Sequence, residues 1–275
     1  MRFFIGMGLS QVKLVVSDMD GTLLNSKDEV SKRFFELHNK LSNLGIQFIA
    51  ASGRQYYSII DKLASIQNDI YVVAENGALT MHQGTELETV TLERKDYISI
   101  LDIAKNINDA TVVLCARNQG YVQTKNSEFI DFLKEYYVRY EVVEDLYKVT
   151  HDPYLKVAIH HPKSSEKHLL PKFNTLQDRI KVKVSAKVWL DLSNPEAHKG
   201  NAIQKLQDRL GISKEETMVF GDYNNDLEML AQAKYSYAMG NAHPNVKKAA
   251  NFQTESNDNF GVERVLEELV RAKAP

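Results

Sequence analysis

Four short, almost continuously apolar segments constrain the fold of this chain more than any other feature. They are KLVVS at 13–17, QFIAAS at 47–52, YVVAE at 71–75 and TMVFGD at 217–222. Strands of this kind are buried on both faces, as in a parallel sheet that helices cover. Helical patterns accompany them at 31–45, 200–211 and 224–233. This alternation predicts a doubly wound, Rossmann-like α/β domain built on a parallel sheet.

A different strand pattern occupies the middle of the chain. Residues 180–192, IKVKVSAKVWLDL, alternate apolar and polar side chains, which is typical of an antiparallel strand with one solvated face. By the same parity, Trp189 falls on the lysine-bearing face of that strand. The segment 155–161 suits the same sheet. Helical patterns lie nearby at 94–108, 127–137 and 164–177.

The change of strand type predicts two domains, which a length of 275 residues also favours. We expect residues 1–83 and 193–275 to form an α/β core and residues 84–192 to form an inserted α+β domain. Turn-rich joints at Gly84 and around Pro195 are the expected hinges. Residues 1–10 are interpreted as a leader or a frayed end.

Composition excludes several classes of function. The net charge is −2, and a nucleic-acid binder would show a basic excess. Cys115 is the one cysteine, so no disulfide can form within the chain, which suits the cytoplasm. No apolar run approaches the length that crosses a membrane. We therefore expect a cytoplasmic protein, monomeric or weakly dimeric, without nucleic-acid or membrane partners.

Paired acidic residues follow two of the apolar segments. Asp18 and Asp20 follow the first one, and Asp222 ends the last, with Asp226 four residues further along the chain. Ligands of open α/β sheets bind beyond the carboxyl ends of the strands, so these carboxylates are expected to meet there. Crowded carboxylates need a cation, and Mg²⁺ prefers such oxygen ligands. The alternative for the second pair is simple capping of a helix.

Two further segments suit an anion beside these acids. Ser52 and Gly53 follow the second apolar segment and precede a helix, where backbone N–H groups bind anions. Lys199 starts a predicted helix, where a cation is mildly unfavourable against the helix dipole and therefore hints at an anionic partner. Taken alone, the first segment is more often a turn and the second a solvated lysine.

These four pieces, in this order, resemble the motifs of the haloacid-dehalogenase superfamily of phosphotransferases. DMDGTLL at 18–24 is similar to the first motif, Ser52 to the second, Lys199 to the third and GDYNND at 221–226 to the fourth. The long insertion between the second and third motifs resembles the large α/β cap of the Cof-type branch. Phosphatases of sugar phosphates and similar small metabolites belong to that branch.

The resemblance implies a role for each matching residue. Asp18 is implied as the nucleophile that forms an aspartyl-phosphate, and Asp20 as the acid and then the base. The implied Mg²⁺ ligands are the Asp18 and Asp222 carboxylates and the Asp20 backbone carbonyl. Asp226 is implied to orient the magnesium shell and Lys199. The groups implied to hold the phosphoryl oxygens are the Met19 N–H, Ser52, Gly53, Lys199 and Asn225.

The leading hypothesis is therefore a Mg²⁺-dependent phosphatase of small phosphorylated metabolites. A phosphomutase on sugar phosphates uses the same intermediate and remains an alternative. A phospho-acceptor regulatory module also carries clustered acids and a lysine. Asp20 argues against that module, because a long-lived acyl phosphate needs no acid or base beside it. A catalytically inactive binding protein is a further alternative, against which the intact motifs argue.

Overall fold

The structure is a computed structural model and describes residues 8–150 and 152–273. Its α-helices are α1 (Lys32–Asn43), α2 (Tyr56–Lys62), α3 (Arg94–Ala104), α4 (Ser127–Leu133), α5 (Ser165–His168), α6 (Lys199–Leu210), α7 (Leu227–Leu230), α8 (Pro244–Ala249) and α9 (Gly261–Lys273). None of these described helices is both long enough and apolar enough to cross a membrane.

The strands fall into two sheets. They are β1 (Leu14–Asp18), β2 (Gln47–Ala51), β3 (Tyr71–Ala74), β4 (Leu79–His82), β5 (Thr85–Thr89), β6 (Thr111–Ala116), β7 (Gly120–Val122), β8 (Tyr140–Val142), β9 (Tyr154–His160), β10 (Lys181–Ala186), β11 (Trp189–Ser193), β12 (Thr217–Gly221), β13 (Tyr235–Ala238) and β14 (Phe252–Gln253).

The first sheet has the order β14-β13-β12-β1-β2-β3-β4-β5. Its strands from β14 to β3 are parallel, and β4 and β5 add an antiparallel edge. All four apolar segments form strands of the parallel part, and β1 and β12 are buried along their whole length. The predicted doubly wound α/β class is therefore confirmed. Because β1 lies between β2 and β12, the residues that follow these three strands share one crevice.

Helix ends follow the local signals of the sequence. Ser31 caps α1, since its side-chain oxygen accepts a hydrogen bond from the Phe34 N–H at 3.0 Å. The apolar faces of α1, α6 and α9 belong to one core cluster with the first sheet. Leu9 is buried in that same cluster, so the predicted frayed end is wrong at this position. Residues 1–7 of the predicted leader lie outside the described residues.

The second sheet has the order β10-β11-β9-β6-β7-β8 and packs with two apolar clusters of its own. The predicted single strand at 180–192 is wrong, because a turn at 187–188 divides it into β10 and β11. Ala186 and Trp189 are paired across this hairpin and therefore share a face. Trp189 lies two residues from Asp191, which pairs with Lys183, so the predicted placement on the lysine-bearing face is correct. That face is not solvated as predicted, because Lys181 and Lys183 contact Glu228 of the core, and Trp189 is buried.

The chain passes from one sheet to the other near Thr91. The N–H of Val90 donates to Ala78 beside the first sheet, and the N–H of Leu92 donates to Tyr154 in the second. Since β5 pairs with β4, the predicted boundary at residue 84 lies too early. The return crossing follows β11, and the Asn194 side chain there donates to the Thr91 carbonyl at 3.1 Å. We propose that the insertion spans residues 91–193.

Candidate active site

The carboxyl ends of two neighbouring parallel strands bring the first and fourth predicted motifs together. Asp18 ends β1, and Asp222 directly follows β12. The turn after β1 packs against Asp222 at Gly21, which has a φ of +73°. A Cβ at this glycine would lie 2.4 Å from Asp222 Oδ2. Any larger residue would therefore both strain the turn and displace the carboxylate.

Three carboxylates and one ammonium group form the centre of the site. Oxygen atoms of Asp18, Asp222 and Asp226 all lie within 4.8 Å of one another. Lys199 is completely buried, and its Nζ contacts Asp18 Oδ1 at 2.5 Å and Asp226 Oδ1 at 2.7 Å. The structure thus joins the third predicted motif to the first and the fourth.

Asp226 has its oxygens occupied within the protein. Oδ1 accepts from Lys199, and Oδ2 accepts from the backbone N–H of Asp222 at 2.9 Å and of Tyr223 at 3.1 Å. This side chain therefore fixes both the lysine and the turn that carries Asp222. Its implied role toward a magnesium shell stays a prediction.

The charge balance of the cluster fits a divalent cation. Burial and then Asp226 raise the pKa of Asp18 to about 7, although Lys199 opposes this. Burial and then Asp18 raise the pKa of Asp222 to about 9. Burial opposes the charge of Lys199, but Asp18 and Asp226 outweigh it and keep its pKa above the ordinary value. A hard cation with oxygen ligands suits such an excess of carboxylates.

Some of the residues expected to hold phosphoryl oxygens line the cavity, and others are buried beside it. Gly53 and Asn225 line a cavity into which Asp18 also faces. Ser52 is completely buried, and its hydroxyl oxygen accepts from the Arg54 N–H at 3.1 Å. The side chain of Met19 is buried in the core, so only its backbone could serve. Their contacts with a phosphoryl group stay predictions.

Arg54 is a site residue that the sequence analysis missed. Its Nη2 and Nε donate to Asp20 Oδ1 and Oδ2 at 2.6 and 2.9 Å, and Nη2 also reaches Asp28 at 2.7 Å. Its Nη1 donates to the carbonyl of Glu135, in the insertion, at 2.9 Å. The available signal was its position, directly after Ser52 and Gly53 at a strand end.

The cavity measures about 310 Å³ and lies between the two sheets. Its core side carries the Asp18 and Asp222 carboxylates described above. Its other side comes from the insertion and is lined by Tyr136, Tyr137, Lys156, Ala158, Ser185, Ala186, Lys187, Trp189 and Asp191. An aromatic cluster holds this wall, since the Trp189 ring stacks on Phe132 and meets Tyr136 edge-on. The cavity is thus acidic on the side of the core and partly aromatic on the side of the insertion.

Such a site on such a fold defines a hydrolase of phosphorylated compounds. Comparison with known proteins agrees, because the family described as haloacid dehalogenase-like hydrolase matches residues 15–266. The chain belongs to this family, and the resemblance to its Cof-type branch is confirmed.

Individual relatives match nearly the whole length of the chain. The 5-amino-6-(5-phospho-D-ribitylamino)uracil phosphatase YbjI of Escherichia coli is 31% identical, over 96% of this chain and 98% of that protein. The crystal structure of SMU.1108c from Streptococcus mutans has a TM-score of 0.88 at 30% identity, over 94% of this chain and 99% of that one. A haloacid dehalogenase-like hydrolase from Bacteroides thetaiotaomicron has a TM-score of 0.80 at 27% identity, with 94% and 99% covered. The protein is a phosphatase of the haloacid-dehalogenase type.

Proposed function

We propose that this phosphatase is Mg²⁺-dependent and hydrolyses small phosphorylated metabolites, such as sugar phosphates, through an aspartyl-phosphate on Asp18. One observation supports this most directly. The Asp18 carboxylate faces a cavity at the end of β1, touches the buried Lys199 at 2.5 Å and lies beside Asp222. A carboxylate mounted in this way can attack phosphorus, and the lysine offsets the charge that develops.

The first half-reaction transfers the phosphoryl group to Asp18. Its carboxylate oxygen forms a bond to phosphorus while the bond from phosphorus to the ester oxygen breaks. Asp20 gives a proton to the departing alkoxide, and Lys199 and Asn225 hold the phosphoryl oxygens. Bound between the Asp18 and Asp222 carboxylates, Mg²⁺ would supply positive charge to the phosphoryl group.

The second half-reaction regenerates the enzyme. Asp20, now ionised, takes a proton from a water molecule as this water attacks the aspartyl-phosphate. Inorganic phosphate leaves, and the Asp18 carboxylate is restored. The side chain of Asp20 is 47% exposed, so water can reach it. Arg54 holds that side chain beside the cavity.

The leaving group would contact the wall formed by the insertion. Trp189 and Tyr136 offer aromatic surface there, while Ser185 and Lys187 offer polar atoms. Such a wall suits a polyhydroxylated chain that carries a ring. The Escherichia coli relative is named for the phosphate of a ribitylaminouracil, which has this shape. This compound therefore belongs in the substrate panel beside the sugar phosphates.

The test is a screen of the purified protein against phosphate monoesters, with Mg²⁺ and with a chelator. We expect release of inorganic phosphate that needs Mg²⁺ and prefers one class of polyol or sugar phosphate. Chromatography of the organic product distinguishes hydrolysis from a phosphomutase, which would return an isomerised sugar phosphate. Equal turnover in the chelator would contradict the metal dependence.

A further inference from the structure

A buried group of charged side chains joins the insertion to the core outside the acidic centre. Lys156 of β9 is 3% exposed, and its Nζ contacts Glu75 Oε2 and Asp191 Oδ2, both at 2.9 Å. The same ammonium group donates to the carbonyl oxygen of Gly53 at 2.8 Å. Lys156 and Asp191 belong to the second sheet, whereas Glu75 and Gly53 belong to the core.

Two further hydrogen bonds connect this group to Asn225, the second cavity-lining residue predicted to bind phosphoryl oxygens. Asn76 Nδ2 donates to Asp191 Oδ2 at 2.6 Å, and Asn225 Nδ2 donates to Asn76 Oδ1 at 3.0 Å. Asn76 also packs against Gly53, because a Cβ on this glycine would lie 3.1 Å from the side-chain amide atoms of Asn76. The insertion therefore holds both Gly53 and Asn225, the two cavity-lining residues expected to bind phosphoryl oxygens.

The core segment 75–77 has a backbone that needs such support. Glu75 and Asn76 have φ values of 51° and 57°, in the left-handed region that residues other than glycine rarely adopt. Gly77 follows with a φ of 99°, and a Cβ there would lie 2.5 Å from the His198 carbonyl oxygen, at the start of α6. Strain of this kind persists where surrounding contacts fix the backbone, and it concentrates at functional sites.

The buried charge of Lys156 depends on its two carboxylate partners. Burial opposes the charge of Lys156, but Asp191 and Glu75 outweigh it and keep its pKa above the ordinary value. A buried charge without its partner is strongly destabilising. Because Lys156 belongs to the insertion and Glu75 to the core, these two charges can pair only when the insertion lies over the core.

We propose that Lys156 and Asp191 are positioning residues that complete the phosphate-binding part of the site from the insertion. The proposal rests on the proposed function, in which Gly53 and Asn225 bind the phosphoryl group. It adds that the insertion sets the affinity for the phosphoryl group itself, independently of the leaving group. This separates Lys156 and Asp191 from the residues of the same wall that face the leaving group.

The experiment measures three variants against a matched control. Asp191→Asn and Lys156→Met remove one charge each, and Asn76→Gly removes the connecting amide while tolerating the left-handed backbone. Asn76→Gly leaves every charge of the group in place and keeps the test valid if Lys156→Met fails to fold. The control is Lys181→Met, which breaks another ion pair between insertion and core, from Lys181 Nζ to Glu228 at 2.8 Å.

The decisive readout is the affinity for inorganic phosphate in the presence of Mg²⁺, measured by calorimetry and by product inhibition. Each of the three variants should bind phosphate about tenfold more weakly, the effect of roughly one hydrogen bond. They should lower kcat/KM by a similar factor for three esters with different leaving groups, while Lys181→Met leaves phosphate affinity unchanged. Melting curves identify the variants that are folded.

Two results would overturn the proposal. One is a folded set of variants with wild-type affinity for phosphate, and the other is a change confined to one leaving group. Calorimetry needs no turnover, so the outcome does not depend on finding the substrate. A wild-type protein that binds phosphate but hydrolyses no ester would refute the proposed function instead.

Discussion

The Arg54 guanidinium connects the Asp20 carboxylate to the backbone of the insertion. Nη2 and Nε contact the two oxygens of Asp20 at 2.6 and 2.9 Å, and Nη1 contacts the Glu135 carbonyl at 2.9 Å. Arg54 is 6% exposed, whereas the Asp20 side chain is 47% exposed, so water reaches the carboxylate side of this contact. Asp20, the group proposed to transfer protons, is thus held by Arg54, which also contacts the insertion.

Arg54→Lys should lower kcat much more than it changes KM. Lysine keeps the charge but has a single nitrogen, which cannot hold both Asp20 oxygens and the Glu135 carbonyl. Misplacement of a catalytic group by about 1 Å can cost ~10²-fold in rate, and we expect a loss of that order. Steady-state kinetics check this, with Arg33→Lys at the surface pair with Glu267 as the control. Wild-type kcat in Arg54→Lys would contradict the role.

Asp18→Asn should abolish turnover and leave the fold intact, because an amide is a poor nucleophile and a poor metal ligand. Trapping with acid during turnover, followed by peptide mapping, should find phosphate on residue 18 of the wild-type protein and none in the variant. Asp61→Asn, at an exposed carboxylate of α2, is the control. The nucleophile assignment fails if Asp18→Asn keeps near wild-type activity.

Asp20→Asn should still bind substrate and Mg²⁺ but lose about 10²–10⁴ in kcat, the usual contribution of general acid–base catalysis. The loss should be smaller for an aryl ester than for an alkyl ester, since an aryl oxide leaves without a proton. Comparison of the two esters in both proteins measures this. A loss in kcat below about tenfold would count against the role.

The parts of the site that the sequence predicted are local ones. Asp18, Ser52 and Asp222 each follow an apolar strand, so strand pattern and chain order were enough to bring them together. The contacts made by Lys156 and Asp191 join segments far apart in the chain, and no local pattern indicates which lysine is buried.

Local signals in the sequence differ from the structure in two places. The turn at 187–188 is Lys-Val, without the Gly, Asn or Asp that usually marks a hairpin, so β10 and β11 were predicted as one strand. Strand β5, with the sequence TELET, lies at the edge of the first sheet and contains a single apolar residue, Leu87. It therefore does not resemble the continuously apolar strands of the core, and the turn signal at Gly84 placed the predicted boundary before it.

The metal-free protein should lose stability as the pH rises. The pKa values of Asp18 and Asp222 are raised to about 7 and about 9, from an ordinary value of 3.8. Between about pH 4 and pH 9 the folded state therefore keeps protons that the unfolded state has lost, and stability falls across this window. In the proposed function Mg²⁺ takes the place of these protons, so its stabilising effect should increase with pH.

Melting temperatures at about pH 6 and about pH 9, with a chelator or with Mg²⁺, check this linkage. The increase in Tm on adding Mg²⁺ should be larger at the higher pH. Asp222→Asn should reduce both the loss of stability with pH and the effect of Mg²⁺. An effect of Mg²⁺ that stays constant with pH would contradict the assignment of these carboxylates as its ligands.

Ala186→Phe should change which ester is preferred and leave the metal dependence unchanged. Ala186 is paired with Trp189 across the hairpin, and both line the cavity of about 310 Å³. A phenyl ring there would occupy space that the proposed function gives to the leaving group. We expect kcat/KM to fall by about tenfold or more for bulky esters, since the loss of fit in a pocket typically amounts to 10–200-fold.

Acetyl phosphate, whose leaving group is small, should be hydrolysed at the wild-type rate. Ala64→Phe, at an exposed alanine of the core, controls for the added ring. A uniform loss for all esters would show that Ala186 does not face the leaving group.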